Sequence, residues 1–208
     1  MDDTPKTRCA RKAAADHPVE HGHLEQVAFL ADALFDAFQP LHGLGGWQRE
    51  MLCCAALLHD LGLSVSVSKH HKHSLILILQ TPLPALTTDE RLIVANLARY
   101  HRKAWPKDKH AHFAELQPAA RDLVLHLAPI LRIADGLDRA HENAVDRVAA
   151  QPQAPGRWTL DIYGSGDLGF AAWGGSRKAG HFEKVYAVSL AIEPRGPAMA
   201  ADAGGGSG

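Results

Sequence analysis

Leu57-Leu58-His59-Asp60-Leu61-Gly62 sets a histidine and a carboxylate side by side at the end of an apolar run, and its reading decides the fold. Upstream, Met51, Leu52, Ala55 and Leu58 recur at helical spacing, which predicts a helix over 47–60 with Gly62 as its C-terminal cap. His59 follows Ala55 by four residues and Leu52 by seven, so it shares their inward face. The C-terminal end of a helix carries partial negative charge, which favours a bound cation. A buried carboxylate without a partner is costly, so packing alone explains this pair poorly. We read it as the centre of a metal site.

Working outward, a helix is expected from Glu20, with Val27, Leu30, Leu34 and Phe38 on one buried face. His23 precedes Val27 by four residues and lies on that face. Pro40 with Gly43, Gly45 and Gly46 ends the helix in a loop. Beyond the central stretch, 64–73 reads as a loop carrying the basic cluster Lys69-His70-His71-Lys72-His73, and 74–79 as a short apolar helix stopped by Pro82 and Pro84. Thr87 and Glu90 form a capping box for a helix running through Ile93, Leu97 and His101. Pro118 suits the first turn of the next helix, whose inward positions are Val124, Leu127, Leu131 and Asp135. Pro129 is expected to kink that helix or divide it, which leaves the direction of the Asp135 side chain open.

The fold class is therefore mainly α: a helical bundle over 18–148, preceded by a mobile arm over 1–17. A small α+β appendage follows over 149–195. In it a linker at 151–156 precedes a strand through Trp158, Leu160 and Ile162, a short helix at 182–185 and a strand through Val188, Leu190 and Ile192. A flexible Gly/Ser tail occupies 196–208. A net charge of −1 argues against a dedicated nucleic-acid binder. The longest apolar run, 75–79, is far short of the ~20 residues that span a bilayer. Three cysteines do not make an even disulfide framework, which points to a reducing, cytoplasmic setting.

His23, His59 with Asp60, and Asp135 thus place metal-capable side chains where three separate helices would otherwise be apolar. Nitrogen and oxygen donors without thiolate suit Mn²⁺, Fe²⁺, Mg²⁺, Co²⁺ or Zn²⁺. These residues match the H…HD…D pattern of the HD superfamily of metal-dependent phosphohydrolases. More specifically, Ala55 to Gly62, His70-His71-Lys72-His73-Ser74, Arg99-Tyr100-His101-Arg102 and Leu131 to Arg139 resemble the C-terminal HD region of the exopolyphosphatase/guanosine pentaphosphatase (Ppx/GppA) family, as does 173–192. The resemblance implies an HD helical fold and metal ligands at His23, His59, Asp60 and Asp135. In that family hydrolysis belongs to an N-terminal actin-like ATPase-fold domain, for which this chain is expected to have no room.

The chemistry implied is attack on a phosphate ester or anhydride by metal-activated water at Asp60, with His101 placed to protonate a leaving group. His71, His73 and His101 are candidate ligands of a second ion bridged by Asp60. Lys72, Arg102, Arg132 and Arg139 are candidate phosphate-binding residues. Asp138, three residues after Asp135, is a candidate supporting partner. Two functions stay open: a stand-alone phosphohydrolase of a nucleotide, a (p)ppGpp-like compound or short polyphosphate, and a non-catalytic module binding such ligands. The partner is a phosphorylated small molecule or polyphosphate. By family analogy the chain forms a homodimer or serves a separately encoded catalytic subunit.

Overall fold

A computed structural model describes residues 3–196, so the tail expected over 196–208 lies outside the described residues except for Gly196. The chain runs α1 Pro5–Ala15, α2 His21–Ala37, α3 Gln39–His42, α4 Gly46–Leu58, a 3-10 turn Leu61–Ser64, α5 His70–Gln80, α6 Thr88–Tyr100, α7 Ala111–Ala114 and α8 Pro118–Leu137. Then come β1 Val145–Ala154, β2 Arg157–Gly164, α9 Leu168–Ser176, α10 Gly180–Tyr186 and β3 Ser189–Pro194. The architecture is mainly α with a C-terminal α+β part. α4 is the central helix, packed by α1, α2, α6 and α8, and every residue from Met51 to Leu58 is buried. Past its polar first turn, the helix is apolar all round because that stretch has no solvent face.

The N-terminal arm is a correction. Residues 5–15 form α1, with Thr4 as N-cap: Thr7 N donates to Thr4 Oγ1 and Thr4 N donates to Thr7 Oγ1 at 2.9 Å. Its buried face is Thr7, Ala10, Ala13 and Ala14, small residues with too little hydropathy contrast to mark a face in the sequence. The basic residues there hold the helix down, Lys6 reaching Glu90 at 2.7 Å and Glu50 at 3.1 Å. Thr4→Ala is expected to cost about 1 kcal/mol, read as a lower urea midpoint with an unchanged slope.

Gly62 is not a helix cap. It sits in the 3-10 turn, and a Cβ there would fall 2.0 Å from the His70 carbonyl oxygen and 2.5 Å from Ser74 N. The glycine lets α5 rest on the turn, and Gly62 N donates to Ser74 Oγ at 2.9 Å. α5 accordingly begins at His70, so the histidine cluster expected in a loop forms its first turn. α8 is a single 20-residue helix through Pro129, not two.

The expected linker at 151–156 is instead the end of β1 and its hairpin turn into antiparallel β2. Pro152 is tolerated because β1 is an edge strand of the β1-β2-β3 sheet. The boundary placed at 148/149 thus falls inside β1. β3 lies parallel to β2, and α9 and α10 supply the crossover. α9 was not expected, since its inner face is Ala171, Ala172, Gly174 and Gly175. A Cβ at Gly174 would lie 2.2 Å from Gly136 O, so only glycine allows α9 to touch the α8 backbone beside Asp135. One buried core runs from Ala10 in α1 to Ile192 in β3.

Candidate metal centre

Asp60 follows the C-terminus of α4, and four imidazoles surround its carboxylate. His59 Nε2 lies 3.6 Å and His23 Nε2 4.0 Å from Oδ2, while His70 Nε2 lies 3.1 Å and His101 Nε2 3.5 Å from Oδ1. Each ring is anchored through its other nitrogen. His59 Nδ1 bonds Ala56 O and His101 Nδ1 bonds Ala98 O, both at 2.7 Å, and His70 Nδ1 bonds Val67 O at 3.2 Å. His23 Nδ1 bonds Asp138 Oδ2 at 2.8 Å. These acceptors assign the imidazole proton to Nδ1 and turn the Nε2 lone pairs toward Asp60. His59 and His101 do this as C-caps, each bonding a carbonyl three residues back that the helix end leaves free. Two negative helix ends, of α4 and α6, therefore face one point.

That point has the chemistry of a cation site. His23 Nε2, His59 Nε2 and Asp60 Oδ1 are sealed from solvent without a hydrogen bond. His70 and His101 bring their Nε2 atoms to 3.3 Å of one another, and Arg102 Nη1 donates to His70 Nε2 at 3.1 Å. Ligand atoms fall into two groups, His23 with His59 and Asp60, and Asp60 with His70 and His101, each within 4.8 Å of one another. Burial pushes Asp60 upward, but His59, His70 and His101 outweigh it and keep the carboxyl ionised. Burial pushes His59 down and His101 well down. Burial lowers His23 as well, but the Asp138 bond and the nearby Asp135 and Asp60 carboxylates carry it above the ordinary value.

Asp135 also reaches the centre, its Oδ1 3.8 Å from His23 Nε2, while its Oδ2 accepts from Lys178 Nζ. Burial raises Asp135, but Lys178 and then His101 hold it below the usual carboxylate range. Asp138 supports His23 as anticipated and also accepts from Asn143 N at 3.0 Å. The centre opens into a cleft of about 970 Å³ walled by Arg102, Lys103, Arg132, Arg139, Arg177 and Lys178. Exposed Phe170 and Trp173 stack at 5.3 Å on its rim, with Arg139 over the Trp173 ring at 5.5 Å.

The family model described as Ppx/GppA phosphatase, domain III, matches residues 6–162, from α1 into β2. The chain belongs to the Ppx/GppA phosphatase domain III family. Among similar proteins, a guanosine-5'-triphosphate,3'-diphosphate pyrophosphatase of Pseudoalteromonas translucida (strain TAC 125) is 26% identical over 60% of this chain and 25% of its own length. One of the same name from Pseudoalteromonas atlantica (strain T6c / ATCC BAA-1087) is 31% identical over 55% of this chain and 25% of its own. The chain thus spans about a quarter of the length of these relatives. Among the described residues, no helix is long and apolar enough to cross a membrane.

Within this domain III fold, the structure brings His23, His59, Asp60, Asp135 and His101 together, with Arg102, Arg132 and Arg139 around them. The other second-ion candidates need correction. His70 takes the place expected of His71 and His73, because α5 starts at His70 and aims its first residue at Asp60. Its neighbour His71 and exposed Lys72 line a different cavity. His101 is buried, burial pushes it well down, and its Nε2 lies 3.5 Å from Asp60 Oδ1. Sequence reasoning missed His70, Arg177 and Lys178. It also missed His141, whose ring stacks on His23 at 3.8 Å while its Nδ1 meets Glu20 at 2.6 Å. No spacing rule finds residues that arrive from separate elements.

Proposed function

We propose that this Ppx/GppA domain III chain is an HD-type, metal-dependent phosphohydrolase acting on a small polyphosphorylated compound, nucleotide or (p)ppGpp-like. One observation carries the reading: four imidazoles anchored through Nδ1 converge on one ionised, shared carboxylate inside a cation-walled cleft. His23, His59, Asp60 and Asp135 would hold one divalent ion, and Asp60, His70 and His101 a second. A divalent ion bound there supplies Lewis acidity toward a phosphoryl oxygen and acidifies water. Arg102, Arg132 and Arg139 orient the phosphoryl oxygens and offset their charge, and Arg177 extends that role to the rim. Asp138 and His141 fix the His23 ring. Free thiols at Cys9, Cys53 and Cys54 favour a cytoplasmic setting.

Purified protein is expected to carry bound Mn, Fe, Co or Zn, or to accept Mg²⁺. It should release phosphate from a panel of nucleotides and phosphate esters in a metal-dependent way. Tight ligand binding without turnover under every metal would instead favour a non-catalytic binding module or a subunit of a separate enzyme. The Lys178–Asp135 pair is the observation on that side, since an ammonium there supplies positive charge to a ligand carboxylate.

The partly exposed Phe170–Trp173 pair on the rim favours a substrate with a flat ring over linear polyphosphate. Trp173→Ala should raise KM for nucleotides by about tenfold, the equivalent of one lost aromatic stack. KM for tripolyphosphate should not change; an equal rise for both substrates would remove the stacking role.

A further inference from the structure

Arg102 and Lys103 also wall a second cavity, of about 530 Å³, whose other sides include Lys69, His71, Lys72, Arg99 and His110. No carboxylate lines it. Among the described residues, none of its five lysines and arginines has an acidic partner within 4.0 Å. Exposed Lys69, Lys72 and Lys103 could be ordinary solvated charges. Arg99 and His71 could not. Arg99 Nη1 and His71 Nδ1 are both sealed from solvent with no hydrogen-bond partner, and His71 is only 5% exposed. Such donors cost free energy that a bound anion would restore. The N-terminus of the 11-residue α5 opens at Lys69 with no side-chain cap, adding partial positive charge to the same place.

We propose that this cavity is a second phosphate-binding site, with Lys69, Lys72, Arg99 and His71 as donors. Five cations, Arg99 with its sealed Nη1 among them, gathered with the sealed His71 suit a multiply charged tetrahedral oxyanion better than a carboxylate. The ligand is either free inorganic phosphate or the distal phosphate of a polyphosphorylated molecule that extends past Arg102 from the cleft. Only the second source rests on the phosphohydrolase reading.

Calorimetric titration of the full chain, stripped of metal with EDTA at constant chloride, separates these sources without requiring turnover. The probes are inorganic phosphate and tripolyphosphate. The proteins are wild type, the double variant Lys69→Gln/Lys72→Gln at two exposed positions, and Arg177→Gln in the cleft. The double variant should weaken binding by about tenfold, as expected for lost charged hydrogen bonds. If that loss appears with phosphate and Arg177→Gln has no effect on either probe, the site takes free phosphate. If tripolyphosphate binds wild type more tightly than phosphate and both variants weaken it, the site takes the distal phosphate. The proposal is overturned if the double variant weakens neither probe or if neither probe binds. An equal loss of inorganic phosphate binding in Arg177→Gln also overturns it, because that would mark diffuse charge and no site.

Discussion

Asp60→Asn is expected to abolish divalent-metal binding and metal-dependent turnover together while the fold stays in place. Asp60 is the one carboxylate shared by both ligand groups, Oδ2 facing His23 and His59 and Oδ1 facing His70 and His101. An amide of the same size removes the charge from both groups at once. Losing an outer partner of a metal ligand costs about 10–100-fold in affinity, and losing a shared ligand should exceed the upper end of that range. Elemental analysis should show metal content falling to background, and kcat/KM should fall by at least about 100-fold. In the metal-free state the variant should still unfold in one cooperative transition, somewhat less stable than wild type at neutral pH, because the surrounding imidazoles favour the ionised Asp60 in the fold. Wild type should gain about 2.7 kcal/mol from metal at 100 times its Kd, and the variant should gain nothing. Full metal content with undiminished turnover in Asp60→Asn would end the metal-centre reading.

Gly62→Ala should be the most damaging substitution of a single methyl. The added Cβ would meet backbone on α5, at 2.0 Å from His70 O and 2.5 Å from Ser74 N, and neither atom can swing aside as a side-chain end would. The helix must move off the 3-10 turn, breaking the Gly62 N to Ser74 Oγ bond. Overpacking of this kind costs about 3 kcal/mol. In a domain of this size that is a fall of about 6–12 °C in Tm. Because α5 carries His70, the same movement should withdraw one ligand from Asp60 and leave His23 and His59 in place. The expected signature is lower stability together with loss of the second metal equivalent, while the first remains. A variant as stable as wild type would show that α5 is not seated through Gly62.

Helical periodicity made α2, α4, α6 and α8 legible, because each buries large apolar residues on a repeating face. The capping box of Thr87 and Glu90 located the start of α6. By contrast, α1 and α9 bury Ala, Thr and Gly faces, whose close backbone approach leaves little trace in hydropathy. Pro152 and Pro155 suggested a linker where an edge strand turns into a hairpin, since an edge position does not need every backbone donor.

The candidate site divides along the same physical line. His23, His59, Asp60 and Asp135, which the fold brings near one another, stood out in the sequence as polar residues at inward helix positions or helix ends, with only the direction of Asp135 left open by Pro129. Which residue of the 69–73 cluster joins them was not, because that depends on where α5 begins, and Gly62 decides this from across a turn. Arg177, Lys178 and Trp173 reach the cleft only because Gly136 and Gly174 let α9 lie against α8. Local pattern is a property of one helix and is written in its own residues. Convergence belongs to the contacts between helices, so it was decided by the tertiary structure alone.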